Sequence, residues 1–131
     1  FDGEEKDAQG YMYRLQVEQD CSAVSGACLM VRKAVFDELG GLDQEYFAQA
    51  YADVDLCLRV ADHGLLTVWT PQVQIAHPGT LPENPQAVAA LRKKWQARFA
   101  QDPAYNQSLA VTGTPFTLGE AHAVDWAQLL A

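Results

Sequence analysis

Residues 21–77 read CSAVSGACLMVRKAVFDELGGLDQEYFAQAYADVDLCLRVADHGLLTVWTPQVQIAH, and this stretch decides the fold. A turn of small residues leads into an apolar run, and the helical segment after it stops at Gly40-Gly41. An acidic segment then opens a second helix, and two further apolar runs follow, the last ending at His77. Asp53 in this stretch is charged, whereas a side chain that only packed in the core at its position would be apolar.

Asp53 belongs to the apolar side of a helix predicted over residues 53–62. At about 100° per residue, the apolar arc of this helix consists of Val54, Leu56, Cys57, Leu58, Val60 and Ala61. Asp53 falls in the middle of the arc and therefore points to the covered side. A carboxylate there needs hydrogen bonds, a metal or a catalytic task, because an unpaired buried charge is costly. A plain N-cap is the alternative, since Asp is favoured at that position.

The opposite face of the same helix carries Asp55, Arg59 and Asp62. Asp55 and Arg59 are four residues apart, a spacing at which an acidic and a basic side chain can pair on a helix surface. We therefore expect these two residues to form an ion pair on a solvated face.

Local signals place the other elements. A short helix is predicted over 33–39, ended by Gly40, and a longer one from Pro85 to about residue 100, capped by Asn84. Strands are predicted at 27–32, 65–70 and 73–77, a strand or short helix at 11–17, a loop at 1–10, a loop with a short helical end at 42–51, and a short helix at 123–130.

Several motifs occur in a fixed order: Ser25-Gly26-Ala27-Cys28-Leu29-Met30-Val31-Arg32, Gly40-Gly41-Leu42-Asp43, Ala52-Asp53-Val54-Asp55-Leu56-Cys57-Leu58-Arg59, then Gly64, Pro71, His77 and Trp95, and lastly Asp102-Pro103-Ala104-Tyr105-Asn106. In this order and spacing, residues 10 to 118 resemble the acceptor-side, C-terminal half of an inverting family 2 glycosyltransferase with the GT-A fold. Members of this kind elongate bacterial O-antigen and other surface polysaccharides.

The resemblance implies an α/β fold, a partial GT-A domain whose mixed sheet is flanked by helices, over residues 1–118, with a C-terminal extension at 119–131. Two departures from the family pattern matter. Ala52 stands where the family has Glu, and no Asp-x-Asp motif occurs in the first forty residues. We therefore expect the chain to be a fragment that lacks the nucleotide-binding half and does not turn over alone.

The activity implied is transfer of a sugar from a nucleotide-sugar donor to a saccharide or lipid-linked saccharide acceptor by the full-length enzyme, of the hexosyltransferase type. Asp53 corresponds to the family's catalytic base. Gly26, Asp55 and Arg59 are implied as substrate-binding residues, and His77 as a residue beside the metal and diphosphate. The alternatives left open are a turn for Gly26, a structural pairing for Asp55 with Arg59, and a hydrogen-bonded strand-end residue for His77.

The resemblance further implies a divalent cation, Mg²⁺ or Mn²⁺, in the full-length enzyme, with none expected on the fragment, and a cytoplasmic location that could extend to the inner face of the membrane. An unpaired sheet edge would permit self-association. A non-catalytic glycosyltransferase-derived interaction module, or a small domain that binds a cation or sugar, remains an alternative. An upstream Asp-x-Asp in the full-length gene product would favour the enzyme.

Composition restricts the classes of function. The chain has 131 residues, 49% of them hydrophobic, so it can bury about two-thirds of its unfolded surface in one core. A net charge of -8 argues against nucleic acid as a partner, because a binder needs a basic stripe. No apolar run approaches the ~18 residues of a membrane span.

Two smaller groups of residues are interpreted as structural. The helix from Pro85 carries four basic residues, which favour a solvated face over a phosphate or membrane contact: Arg92, Lys93, Lys94 and Arg98. Three cysteines without C-x-x-C spacing are expected to be reduced, buried small residues: Cys21, Cys28 and Cys57. His63 and His122 are expected at the surface.

Overall fold

The computed structural model describes residues 7–48, 50–77, 84–100, 104–106, 108–110, 116–117 and 119. In chain order its elements are a 3₁₀ helix Tyr11–Gln16, strand β1 Gln19–Cys21, a 3₁₀ helix Gly26–Cys28, helix α1 Lys33–Glu38, helix α2 Ala52–Asp62, strand β2 Thr67–Trp69 and helix α3 Pro85–Ala100. The two strands pair antiparallel, with Asp20 opposite Val68. Helices and a small sheet thus occur together, as expected of an α/β fragment, although the sheet among these residues is one antiparallel pair and not a mixed sheet.

The core lies where α2, α3 and the segment between α1 and α2 meet. Its buried members are Phe47, Leu58, Leu91 and Trp95. Tyr51, Ala52, Val54 and Ala90, which are partly buried, pack against them. This core fixes the N-terminal turn of α2 against α3, and that turn contains Asp53.

Both longer helices agree with the predictions because their end signals are local. The Asn84 side-chain oxygen accepts a hydrogen bond from the Ala87 N–H at 3.0 Å, so Asn84 caps α3 ahead of Pro85. At the end of α2, Gly64 has φ 77° and the Leu65 N–H bonds to the Val60 carbonyl, which is a glycine-terminated helix end.

The end of α1 has the same form and uses two glycines. Gly40 and Gly41 have φ of 78° and 74°, and the Gly41 N–H donates to the Phe36 carbonyl at 2.8 Å. A Cβ on Gly41 would lie 3.2 Å from the Phe36 ring. The left-handed conformation and this close approach both require glycine at the second position.

Three strand predictions are wrong or too long. Residues 27–32 form the 3₁₀ helix Gly26–Cys28 followed by irregular chain, because the Ser25 hydroxyl accepts from the Ala27 N–H and turns the backbone. Residues 73–77 are exposed and form no strand, since no described segment pairs with them. The predicted strand 65–70 shortens to Thr67–Trp69.

The remaining predictions, for residues 11–17, residues 42–51, the cysteines and the histidines, agree with the structure only in part. Residues 11–17 adopt the 3₁₀ alternative, with Met12 and Tyr13 at positive φ, and the described part of 42–51 forms turns without a helix. Cys57 is buried as predicted, but Cys21 is half-buried and Cys28 is exposed. His63 is exposed as predicted, whereas His122, the loop at 1–6 and the helix predicted at 123–130 lie outside the described residues. None of the helices in the described part of the chain combines the length and the hydropathy needed to cross a bilayer.

Candidate functional site

Asp53 lies in the first turn of α2 as its second residue. Tyr51, and not Asp53, occupies the N-cap position, so the interpretation of Asp53 as a plain N-cap is wrong. The Asp53 carboxylate instead accepts the Gly26 N–H at 2.6 Å and the Val54 N–H at 2.9 Å. Of the roles that the sequence left open for this carboxylate, hydrogen bonding is the one that the described residues show, and the side chain is only half-buried.

Gly26 and Asp53, two residues that the sequence singled out separately, contact each other. A Cβ built on Gly26 would lie 3.1 Å from the Asp53 Cβ and 3.2 Å from its Oδ2 atom. Such distances are tighter than ordinary packing, so glycine at position 26 allows the backbone to approach the carboxylate. The close approach explains this glycine more directly than the turn alternative does.

A groove of about 410 Å³ opens beside this pair. The wall of this groove is mostly apolar, and the Asp53 carboxylate forms part of it. The lining residues are Gly26, Leu29, Val31, Phe36, Leu42, Phe47, Ala48, Ala50, Tyr51, Ala52, Asp53 and Leu56. The irregular segment after Gly26, α1 and the start of α2 thus form one concave surface that contains the carboxylate.

Tyr51 joins this groove to a second one. It lines both, and the second groove, of about 470 Å³, is completed by Asn84, Pro85, Val88, Ala89 and Arg92. The backbone of Tyr51 is left-handed, with φ 67°, a conformation that costs a non-glycine residue about 1–2 kcal/mol. Strained residues of this kind cluster at functional sites, and this one immediately precedes Ala52 and Asp53.

Asp55 is fully buried, so the expectation of a solvated face was wrong. The predicted ion pair is present, with Arg59 Nε at 2.8 Å from Asp55 Oδ2. In addition, the indole N–H of Trp95 donates to Oδ1 at 2.8 Å, and Lys94 Nζ lies 2.7 Å from the same oxygen. Helix α3 covers the polar face of α2 and satisfies its carboxylate with two further donors, because a buried charge needs such partners.

Arg59 extends this network to the end of α1. Its guanidinium donates to the Leu39 carbonyl at 2.6 Å and to the Gly41 carbonyl at 2.7 Å. The carbonyls left free at the glycine-terminated end of α1 are thereby satisfied by a side chain of α2. Asp55 and Arg59 together hold α1, α2 and α3 in one arrangement, and the groove that contains Asp53 depends on it.

Asp43 and Lys94 complete the network at the surface. Asp43 accepts the backbone N–H groups of Glu45 and Tyr46 at 3.0 Å each and lies 3.2 Å from Lys94 Nζ. The Tyr46 N–H, followed by the Lys94 ammonium, holds the pKa of Asp43 below its usual value, although burial opposes the shift. Burial lowers the pKa of Lys94, but the hydrogen bonds to Asp55 and Asp43 outweigh it and raise the pKa above its ordinary value.

The free energy of unfolding should therefore depend on Asp43 at acid pH. A carboxyl group with a depressed pKa in the folded state stabilises the fold above its unfolded pKa of about 3.9, and this contribution is lost as the pH falls through the lower folded value. Urea unfolding between pH 5 and pH 2.5 should show a steeper loss of stability for the native chain than for Asp43→Asn. Parallel curves over that range would contradict this assignment.

The basic residues of α3 do not share one role. Lys94 and Arg98 are in ion pairs, with Asp43 and Asp55 and with Asp62 respectively. Arg92 and Lys93 are exposed and form no ion pair with any residue that the structure describes. Sequence reasoning missed Lys94 and Trp95 as partners of Asp55, because their positions 39 and 40 residues downstream carry no local signal of that contact.

His77 is exposed at the end of a described segment. Within the described residues it forms no hydrogen bond, and no group of three or more His, Cys, Asp or Glu side chains could hold a metal ion. The structure therefore brings Asp53 and Gly26 together and joins Asp55 and Arg59 in the adjacent network, and within the described residues it shows no hydrogen bond between His77 and either group.

Comparison with known proteins gives similarity to parts of much longer chains. The sequence is 34% identical over 120 residues to an uncharacterized protein of Sinorhizobium fredii. The aligned segment covers 83% of this chain and 13% of that protein. It is 33% identical over 115 residues to an O-antigen biosynthesis protein of Myxococcus xanthus. The aligned segment covers 82% of this chain and 9% of that protein.

A third relative matches over a shorter stretch. It is the N-acetylglucosaminyl-diphospho-decaprenol L-rhamnosyltransferase of Mycobacterium tuberculosis, 38% identical over 60 residues, or 46% of this chain and 19% of that protein. No family model matches the chain, and no solved structure gives a significant match. The chain thus spans between 9% and 19% of the length of these curated relatives, and it is similar to a part of an O-antigen biosynthesis protein and to a part of a rhamnosyltransferase.

Proposed function

We propose that residues 1–118 are the acceptor-side half of a GT-A domain in an inverting family 2 glycosyltransferase of cell-surface polysaccharide synthesis, with residues 119–131 as an extension. The observation that carries the proposal is the Asp53 carboxylate, held by the Gly26 N–H in the wall of a groove. The names of the relatives from Myxococcus and Mycobacterium support the same class of chemistry. The chain would act at the cytoplasmic side of the membrane as part of a longer polypeptide.

In the proposed reaction Asp53 is the general base. As the acceptor hydroxyl oxygen attacks the anomeric carbon of the nucleotide sugar, its proton passes to the Asp53 carboxylate. The new glycosidic bond forms on the face opposite the leaving nucleoside diphosphate, so the anomeric configuration inverts. The two backbone N–H groups that bind the carboxylate fix its direction, and the groove positions the acceptor in line with the reacting carbon.

The network around Asp55 serves this site indirectly. Asp55 and Arg59 have their hydrogen-bonding capacity engaged by α1 and α3. The proposal therefore treats them as positioning residues, which hold the first turn of α2 in place, and leaves direct substrate contact to Gly26 and Asp53.

The described residues alone do not fit a catalytic metal ion, because a hard divalent cation takes about six oxygen ligands and no three-ligand group is present among them. In the proposal other parts of the polypeptide supply most ligands for Mg²⁺ or Mn²⁺, and His77 lies beside them. In the proposal an outer edge of the β1–β2 sheet packs on that remaining part or on a second copy.

Calorimetry with UDP and Mn²⁺ tests this division of the site. The 131-residue chain should bind with a dissociation constant in the millimolar range, about -4 kcal/mol, whereas the full-length gene product should bind more tightly and only with metal. In the full-length protein, His77→Ala should weaken metal-dependent donor binding more than acceptor binding, with His63→Ala as the matched surface control. Micromolar, metal-dependent binding to the 131-residue chain would overturn the proposal that the nucleotide site lies elsewhere.

A further inference from the structure

Lys94 binds carboxylates from two different parts of the molecule. Its ammonium nitrogen Nζ lies 2.7 Å from Asp55 Oδ1 on α2 and 3.2 Å from Asp43 Oδ2, in the chain between α1 and α2. Asp55 is fully buried, and the side chains of Asp43 and Lys94 are only 18% and 38% exposed. Charged pairs that are partly buried are screened little by salt. Lys94 therefore links α3 both to α2 and to the chain that precedes α2.

Residues 43–48, which we name the wall segment, form part of the groove beside Asp53. Phe47 and Ala48 line this groove, and so does Leu42, which directly precedes the segment. Phe47 is 1% exposed and packs in the core. Because the hydrophobic effect has no direction, this packing holds the ring in place without fixing how the rest of the segment is oriented around it. The directional contact lies at the start of the segment, between Asp43 and Lys94.

The same ammonium group also contacts the ring that anchors the wall segment. Nζ lies 5.4 Å from the centroid of the Phe47 ring and 5.8 Å from that of Trp95, which are distances at which a cation attracts an aromatic face. One side chain thus contacts the first residue of the wall segment, its buried ring and the carboxylate of α2. The position of the wall relative to α2, and so relative to Asp53, depends on Lys94.

Resting on the proposed function, we propose that Lys94 is a positioning residue for the acceptor sugar. Through Asp43 it fixes the wall segment at the distance from α2 at which a sugar in the groove presents a hydroxyl group to Asp53. Lys94 acts through the wall and not by contact with the sugar. Loss of its contact with Asp43 releases the wall and weakens acceptor binding, whereas the donor, whose site lies elsewhere in the polypeptide, is bound as before.

Asp43→Asn removes this contact and little else, because the two oxygens of Asp43 have separate partners. Oδ1 accepts the N–H groups of Glu45 and Tyr46, and Oδ2 accepts from Lys94. The amide keeps one oxygen for the turn and places an NH₂ group at the other position, which cannot accept from an ammonium group. The contact between Lys94 and Asp55 is retained.

Asp62→Asn is the matched control. Asp62 on α2 pairs with Arg98 on α3, so this change also removes one charge and one contact of α3, but at a site outside the groove. Lys94→Met is the complementary variant, since it removes the ammonium group and keeps an unbranched side chain beside the Phe47 ring.

Two measurements on the full-length gene product test the proposal. In hydrogen–deuterium exchange, peptides that cover residues 43–48 should exchange at least about threefold faster in Asp43→Asn than in the native protein, and at the native rate in Asp62→Asn. Saturation-transfer NMR titrations use the methyl glycosides of glucose, galactose, mannose and N-acetylglucosamine. The dissociation constant of the glycoside that binds best should rise about fivefold in Asp43→Asn, while the affinity for UDP with Mn²⁺ stays unchanged.

A double-mutant cycle assigns the effect to Lys94. Lys94→Met should weaken glycoside binding at least as much as Asp43→Asn, and the double variant should be no weaker than Lys94→Met alone, because the contact is already lost. Multiplied effects in the double variant would show that the two residues act separately and would overturn the proposal.

Three further outcomes would contradict it: unchanged exchange of residues 43–48 in Asp43→Asn, faster exchange with unchanged glycoside affinity, or an equal effect of Asp62→Asn. Absence of glycoside binding to the native protein would refute a positioning role for the acceptor. The catalytic role of Asp53 is decided separately, by transfer rates, so the proposed function and this inference can fail independently.

Discussion

Asp53→Asn in the full-length gene product is expected to reduce sugar transfer by about 10²- to 10⁴-fold, the usual contribution of a general base. The amide is isosteric with the carboxylate, and its one oxygen can still accept the Gly26 N–H, which lies 2.6 Å from Asp53, whereas the hydrogen bond from the Val54 N–H is lost. The change therefore removes basicity while it keeps the shape of the site. Initial transfer rates at saturating acceptor measure the effect, and circular dichroism melting checks that the fold is retained.

Asp62→Asn is the matched control for that substitution. Asp62 is the last residue of the same helix and is exposed, paired with Arg98, so its amide should transfer sugar at nearly the native rate. If Asp53→Asn also kept near-native transfer, Asp53 would not be the base, and the non-catalytic module would become the better interpretation of the chain.

Asp55→Asn is expected to act on stability and to lower the free energy of unfolding by about 3 kcal/mol. Asp55 is 0% exposed, and removal of one partner from a buried ion pair leaves the other uncompensated, at a cost of about 3–5 kcal/mol. The lower end is expected because Arg59 and Lys94 remain 18% and 38% exposed and can gain water. Urea unfolding of the 131-residue chain measures the change.

Asp37→Asn provides the comparison at equal helical spacing. Asp37 pairs with Lys33 four residues away on α1, and the two side chains are 57% and 87% exposed. An exposed pair of this type contributes about 0.5 kcal/mol. Similar losses of stability for Asp55→Asn and Asp37→Asn would show that Asp55 is not the centre of a buried network.

Helices α2 and α3 could be predicted from the sequence almost to the residue. Their ends depend on groups within a few positions: Asn84 and Pro85 begin α3, and Gly64 ends α2. The same holds for the end of α1 at Gly40-Gly41. Such signals act through hydrogen bonds between near neighbours, so a window of a few residues contains all the information they need.

The strands could not be predicted in this way. Residues 27–32 and 73–77 have apolar, β-type sequences, yet neither forms a strand, because a strand exists only with a partner whose position along the sequence is remote. Thr67–Trp69 is extended since Gln19–Cys21 lies beside it. Strand propensity describes a residue that fits a half-buried pleated surface, and it does not specify whether such a surface is present.

In the candidate site, too, the features with local causes could be predicted and those that depend on remote segments could not. The sequence alone determined that Asp55 can pair with Arg59, because this follows from the 3.6-residue period, and it singled out Asp53 as a charged residue among apolar ones, although Asp53 is only half-buried. Only the tertiary structure decided that α3 buries Asp55 under Lys94 and Trp95, and that the Gly26 N–H meets Asp53. Helical periodicity fixes the direction of a side chain around its own axis, whereas its burial and its partners depend on segments 27 to 40 residues away, which only the packed chain brings into contact.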